Sequence, residues 1–238
     1  MVKLFKNLSK NQKSTLIVLM ILIVFSISLG VATRLSYSRL SLNEEAYNDA
    51  KLSFTSQYAN ETDENIMGYS VEGAKHELEN ACDYIFEIRC LNVEHCYETT
   101  KYNVEVLKTV KGDIDESGKN IVIYHAQFFE NVDNLMSFFD IDGSIPLKQG
   151  KKYLVFLNKM NYNNIYQRTL DHNEYYLEVF VDHPVAYALD EIQSTYIDIE
   201  RDKTFSSLED KSYICFSQEA LDHINQFSTE MIEYYGSK

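Results

Sequence analysis

Six histidines, four cysteines and 36 acidic residues are the groups from which this chain could assemble a reactive centre. His76, His95, His125, His172, His183 and His223 are scattered, and none stands at the close His/Cys spacings by which a helix or tight turn presents ligands to zinc. Cys90, His95 and Cys96 form the one local cluster of metal-ligating or nucleophilic types, and an ordinary place in a strand and turn outweighs that chemistry. Asp113-Ile114-Asp115-Glu116-Ser117-Gly118 opens like a calcium loop, but its twelfth position is Tyr124, where such a loop needs a bidentate Glu. It reads as a solvated hairpin turn, and Asp140-Ile141-Asp142-Gly143 as a fainter turn of the same kind. There is no Gly-x-Ser-x-Gly elbow, no His-Glu-x-x-His and no phosphate-cradling glycine loop. The sequence therefore nominates no catalytic, cofactor-binding or metal-binding residue, and the chain reads as a protein without enzymatic activity.

The elements that would position these groups begin with a membrane segment. From Thr15 to Ala32 the chain is TLIVLMILIVFSISLGVA, 18 residues without a charge. As a helix it spans roughly 27 Å, close to the ~30 Å hydrocarbon core of a bilayer. Lys3, Lys6, Lys10 and Lys13 precede it against Arg34 and Arg39 after it, which predicts a cytoplasmic N-terminus and an exported C-terminal part. A cleaved signal peptide, with Gly30 and Ala32 as its small residues, is the alternative. Beyond residue 32 there remain 18 basic against 36 acidic residues, formally −18. That balance excludes nucleic acid as a partner, since affinity for a polyanion rests on clustered Lys and Arg.

The predicted divisions are a basic tail (1–14), a signal-anchor (15–32), a polar stalk (33–70) and one folded domain (71–238). Within the last, a short helix over Val71 to Asn80 leads into an alternation of Cys82, Tyr84, Phe86, Ile88 and Cys90, the mark of a half-buried strand. A second strand runs from Thr100 to Val110, where a bulge near Leu107 would return Val110 to the inner face. Ile121 to Tyr124 begins a third, and an irregular insertion follows over 127–145. Lys152 to Leu157 makes a fourth strand, and Tyr175 to Val181, bent at Pro184 and resuming to Leu189, makes a fifth. Ser217 is a candidate N-cap for a terminal helix whose Leu221, Ile224, Phe227, Met231 and Tyr235 recur at helical spacing. Five strands then a helix, with no βαβ alternation, predict a mainly β chain built on a small closed barrel. Tyr84, Phe86, Tyr153 and Phe156 could line a groove, but their periodicity reads as core.

Four cysteines in an exported domain allow three pairings. Cys82 and Cys90 in one strand would lie roughly 26 Å apart, beyond the ~7 Å that a disulfide tolerates between Cα atoms. Cys90 with Cys96 could close a turn, leaving Cys82 for Cys215; inward-facing free thiols are an equal alternative.

Four of these pieces, in order, resemble the netrin-like domain, the OB-type barrel of tissue inhibitors of metalloproteinases. They are Cys82-Asp83 with its alternating strand, Tyr102 to Val110 ending in Lys111-Gly112, Gly150-Lys151-Lys152-Tyr153-Leu154, and Cys215 before the terminal helix. The resemblance covers about residues 71 to 230 and implies a five-stranded OB-like barrel with a flanking short helix and a C-terminal helix. Inhibitors of that family chelate a protease's zinc through a mature N-terminal Cys, which this chain lacks at a cytoplasmic Met1 and would lack at Thr33 after cleavage. The expectation is a single-pass membrane protein whose barrel binds a protein or another cell-envelope ligand, with loop-based protease inhibition as the alternative.

Overall fold

The computed structural model describes residues 10–37, 47–54, 71–96, 99–140, 145–160, 173–177, 184–190, 204–208 and 218–236. Helix α1 (Lys10–Tyr37) belongs to a unit ending at Ser41, and the rest of the chain forms a second unit, Leu42–Lys238. The stretch Asn11–Ala32 of α1 is long and apolar enough to cross a membrane. Its large apolar side chains are exposed on every side, from Ile17 to Val31. Its hydroxyls are satisfied within the helix, Thr15 donating to the Asn11 carbonyl at 3.0 Å and Ser28 to that of Val24 at 2.8 Å. Such back-bonding is what a helix in lipid requires of its polar side chains.

The second unit contains, in chain order, β1 (Lys51–Phe54), α2 (Val71–Ala81), β2 (Tyr84–His95), β3 (Thr100–Lys111), β4 (Asn120–His125), β5 (Phe128–Val132), β6 (Leu135–Asp140), β7 (Lys152–Lys159), β8 (Glu174–Leu177), β9 (Ala186–Ala188), a 3-10 turn (Phe205–Leu208) and α3 (Gln218–Gly236). Strands β2-β3-β4-β8-β7 pair in that order, and β7 pairs back to β2, closing a five-stranded barrel. Only the β4–β8 pair among them is parallel. This ring is the small closed five-stranded barrel expected from the strand pattern.

Side-chain alternation across the β2–β7 ladder explains why β7 is apolar on consecutive residues. Tyr84, Phe86 and Ile88 stand in register with Leu157, Val155 and Tyr153 on the barrel's inner face. There Tyr175 meets Tyr84 and Phe86 edge-on, at 5.3 and 5.5 Å between ring centres. Ile85 and Phe156 point the other way, and α3 covers that outer side, with Tyr235 at 5.3 Å from Phe156. The stripe Leu221, Ile224, Phe227, Met231 and Tyr235 is buried throughout. β2 is buried on both faces only over Tyr84–Phe86; from Phe86 to Cys90 it shows the expected half-buried alternation, with Glu87 and Arg89 outward. Cys82 precedes this strand, following α2.

Bulges occur where β3 must bend. Leu107 is skipped between the pairs Glu87↔Lys108 and Ile88↔Val106, as expected, and Val110 is skipped as well. Leaving two residues unpaired increases the local coiling that closes a small barrel. Val110 then packs, half-buried, against the core. On β7's other edge, β9 pairs with residues 153–155 beside β8. Pro184 lies just before β9, and Val181 lies outside the described residues.

Two expectations are corrected. The span 127–145 is not irregular: β5 and β6 form a hairpin through Asp133 and Asn134, whose φ of 52° and 65° make a two-residue left-handed turn. Nor is all of 33–70 a stalk, since β1 pairs in parallel with β6, Lys51↔Ser137 through Phe54↔Asp140. The resulting sheet β1-β6-β5 has its own core of Ala50, Phe129, Phe138, Ile145 and Leu208, joined by Tyr47 and Phe205.

Candidate functional site

Three places in the second unit bring chemistry-bearing side chains together. The first is the β3–β4 connection, where the calcium-like loop lies. Its carboxylates diverge: Asp113 accepts from Tyr84 Oη at 2.6 Å, Asp115 from Ser117 Oγ at 2.6 Å, and Glu116 turns inward to be 2% exposed. Tyr175 Oη donates to Glu116 Oε1 at 3.3 Å, and Lys119 Nζ lies 2.9 Å from Oε2 as an ion-pair partner off the hydrogen-bond line. The Asp113 hydrogen bond, with burial, pushes Tyr84 up to about 12, and burial beside Glu116 raises Tyr175 further. Both phenols stay protonated and act as donors. Among the described residues no three His, Cys, Asp or Glu side chains converge as a metal set. The loop is a clasp that ties the barrel's end.

The Lys-Gly pair at the start of that loop has a structural purpose. Lys111 Nζ donates to the carbonyls of Glu79 and Cys82, capping the C-terminus of α2, where a cation also meets the negative end of the helix dipole. Asn158 completes the cap, donating to Ala81 O at 2.9 Å and accepting from Asp83 N at 2.8 Å. Gly112 has φ of 151°, and a Cβ there would stand 2.6 Å from the Tyr84 ring. Gly150 has φ of 82° and donates to Cys90 O at 2.7 Å, while Tyr153 Oη accepts from Lys148 N at 2.8 Å. The residues that carry the family resemblance are thus engaged in shaping the barrel.

The second place is the outer face of β2 and β3. Here Glu87–Lys108, Arg89–Glu105 and Glu94–Lys101 pair across the strands at 3.7, 2.9 and 3.3 Å, each directly opposite in register. Neighbouring Tyr124 donates to Glu174 Oε1 at 3.3 Å, and burial with that carboxylate raises it to about 12. Each base on this face has its own acid, so the face offers no net positive field to a polyanion.

The third place is His95, where the barrel meets the second core. The Cys90–His95–Cys96 cluster does not converge on one point. Cys90 is buried in the barrel and its Sγ–H donates to Asn92 O at 3.8 Å, Cys96 is half-buried with its Sγ–H to Glu94 O at 3.7 Å, and His95 faces Tyr47, Phe129 and Phe205. Burial pushes the Cys90 thiol up to about 12 and raises Cys96, so neither is an activated nucleophile. Cys90 and Cys96 are not bridged. Cys82 is buried at the end of α2, with its N–H donating to Leu78 O at 3.0 Å, and Cys215 lies outside the described residues, as do His172, His183 and Ser217. Tyr84, Phe86, Tyr153 and Phe156 all lie in the barrel core.

Among the exposed apolar side chains of the second unit, which include Ile114, Leu91 and Tyr234, two stand together on a turn that sequence reading passed over. At the tip of the β5–β6 hairpin, Val132 and Leu135 are 41% and 49% exposed on either side of the Asp133–Asn134 turn. The signal that could have found it is an Asp-Asn pair between two short apolar runs. Compared with known protein families and with curated protein sequences, the chain matches none.

Proposed function

We infer that the protein is a single-pass membrane protein with a cytoplasmic N-terminus, and that its acidic, netrin-like ectodomain binds a protein or other cell-envelope ligand outside the cytoplasm. The observation that carries this reading is the β5–β6 hairpin, which holds Val132 and Leu135 exposed on either side of a two-residue turn. Exposed apolar side chains on a preorganised hairpin lose little entropy on contact with a partner, which is the property of an interface anchor. The bilayer partner is engaged through residues 15–32, whose charge flanks support the orientation. The same tip favours the second reading, a protease-inhibitor-like protein acting through hairpin loops without zinc chelation.

The test places a photo-crosslinking amino acid at Leu135 or, as control, at exposed Asp222, in the full chain in its own membrane. The expectation is one discrete adduct from position 135 that disappears with Val132→Ser and is absent from position 222. Identical adduct patterns at both positions, or none at 135, would reject the hairpin as the contact. Protease added outside intact spheroplasts should digest the ectodomain and spare an N-terminal tag; protection of the ectodomain would reverse the orientation.

A further inference from the structure

His95 ends β2 with its imidazole buried among three rings. Their centres lie 4.7 Å (Tyr47), 5.1 Å (Phe205) and 5.3 Å (Phe129) away, all edge-on. Each ring comes from a different stretch of the second sheet's unit: the turn before β1, the 3-10 turn after it in space, and β5. The polar contact of the imidazole is Thr100 Oγ1, 3.5 Å from Nδ1. Thr100 gives its own proton to Gln127 O at 2.9 Å, so its oxygen is left to accept from a neutral Nδ1–H. The ring is thus held as an uncharged, mainly apolar filler at the seam between barrel and sheet.

The charged neighbours do not provide for an imidazolium. Glu94 on β2 and Cys96 just after it flank His95, and Lys101 stands on β3 paired with Glu94 at 3.3 Å. His125 is across Thr100 on β4, in register with it, and is buried. Asp49, after Tyr47, and Glu130, after Phe129, are exposed, and residues 204–208 carry no charge. Among the described carboxylates around this seam, one is already paired and two face solvent.

We propose that His95 is an acid-sensitive pin, which while neutral holds the β1-β6-β5 sheet and the 3-10 turn on the barrel, and which on protonation releases that sheet while the barrel stays closed. Burying a charge among rings costs more than their quadrupoles return, so the charged form favours the state in which the imidazole reaches water. Burial holds the docked ring down to about 4. The sign follows: docking is complete above the ordinary His value of ~6.5 and is lost as pH falls from there toward the docked value. Against an undocked ring of ordinary basicity, the docked-to-undocked ratio should fall about 30-fold between pH 8 and pH 5.

Hydrogen exchange of the full chain in lipid nanodiscs, corrected for the intrinsic pH dependence of amide exchange, tests this. Protection over 128–140 and 47–54 should drop between pH 6.5 and 4, while 84–90 and 153–157 stay protected; His95→Phe should remove the drop and His125→Asn should leave it. Retained protection of the sheet at pH 4, or the same drop in His95→Phe, would overturn the proposal. If His95→Phe does not fold, a ring-labelled His95 titration in the unmodified chain decides. A depressed midpoint that tracks the loss of protection supports the pin, and a midpoint near the ordinary value with the sheet still docked overturns it.

Discussion

In the barrel, Phe86 and Tyr175 are enclosed by strands whose ladder closes on itself, and α3 packs on the outer side of β7 at Phe156. In the three-stranded sheet, Phe129 and Phe138 are covered instead by Tyr47, Ile145 and the 205–208 turn, pieces brought from distant parts of the chain. The barrel has no open edge among its five strands, and its buried polar groups, Thr100, His125, Asn158 and the inward-turned Glu116, are few against a large apolar core. The sheet has short strands and an exposed tip, and its aromatic cover packs on the buried imidazole of His95 at the end of β2. The difference assigns stability to the first region and responsiveness to the second, because local opening free energies follow buried apolar contact.

The largest effect expected to break this comparison is removal of residues 217–238. Burying four large apolar side chains of α3 contributes on the order of 6 to 12 kcal/mol before entropy, comparable with the roughly 5 to 15 kcal/mol net stability of a domain. Truncation should abolish the cooperative melt followed by circular dichroism at strand wavelengths. A truncated chain that melts at the parent's temperature would show that α3 is an appendage. A milder disruption is Phe138→Ala, at about 3 to 5 kcal/mol for a buried aromatic. Its cost should fall on the sheet: exchange over 128–140 accelerates and the strands 84–90 and 153–157 keep their protection. Equal acceleration in both would mean one cooperative unit.

These two regions also differ in how much of each can be read from sequence. β2 and β3 carry alternation over long runs and are visible as periodic segments, β7 is visible as a continuous apolar run, and even the Leu107 bulge follows from Lys108 breaking the pattern. The terminal helix is legible for the same reason, its stripe recurring at helical spacing. The sheet gives no such signal. β1 is four residues, Lys-Leu-Ser-Phe, whose alternation is too short to outweigh its polar surroundings, and its partner is β6, more than eighty residues away. The hairpin turn uses Asp133-Asn134 instead of a glycine, which tolerates the left-handed region without announcing it. Of the site, Glu116 looked like a solvated loop acid; nothing local says that Tyr175, 59 positions away, draws it inside. His95 is an ordinary strand end until Tyr47 and Phe205 arrive from elsewhere.

A smaller effect sharpens the barrel side. Gly112→Ala places a methyl group 2.6 Å from Tyr84 Cδ1 at a backbone φ of 151°. Because the ring is tied through its hydroxyl to Asp113, it cannot swing away without losing that bond. Strain of this kind costs about 1 to 3 kcal/mol. The expected readout is a lowered urea midpoint at unchanged slope, together with a Tyr84 hydroxyl that titrates below about 12 as its bond to Asp113 loosens. An unshifted midpoint would mean that the ring has room to move.

The smallest expected effect concerns the ion pairs on the outer face of β2 and β3, and it separates charge arrangement from stability. Arg89 and Glu105 lie 2.9 Å apart with side chains 42% and 34% exposed, so the attraction is screened by water and weakened further by salt. Exposed pairs contribute about 0 to 1 kcal/mol, and Glu105→Gln should change the melting temperature marginally, with the change fading at high salt. What it alters is the local field. Removing Glu105, and likewise Glu87 and Glu94, leaves Lys108, Arg89 and Lys101 as an uncompensated basic stripe along the outer face of β2 and β3. The triple Glu→Gln variant should then show weak, salt-sensitive retention of single-stranded DNA that the parent does not. If the parent binds equally well, the acids are not what keeps polyanions away. If the variant unfolds at physiological salt, the pairs matter to stability far more than their exposure allows.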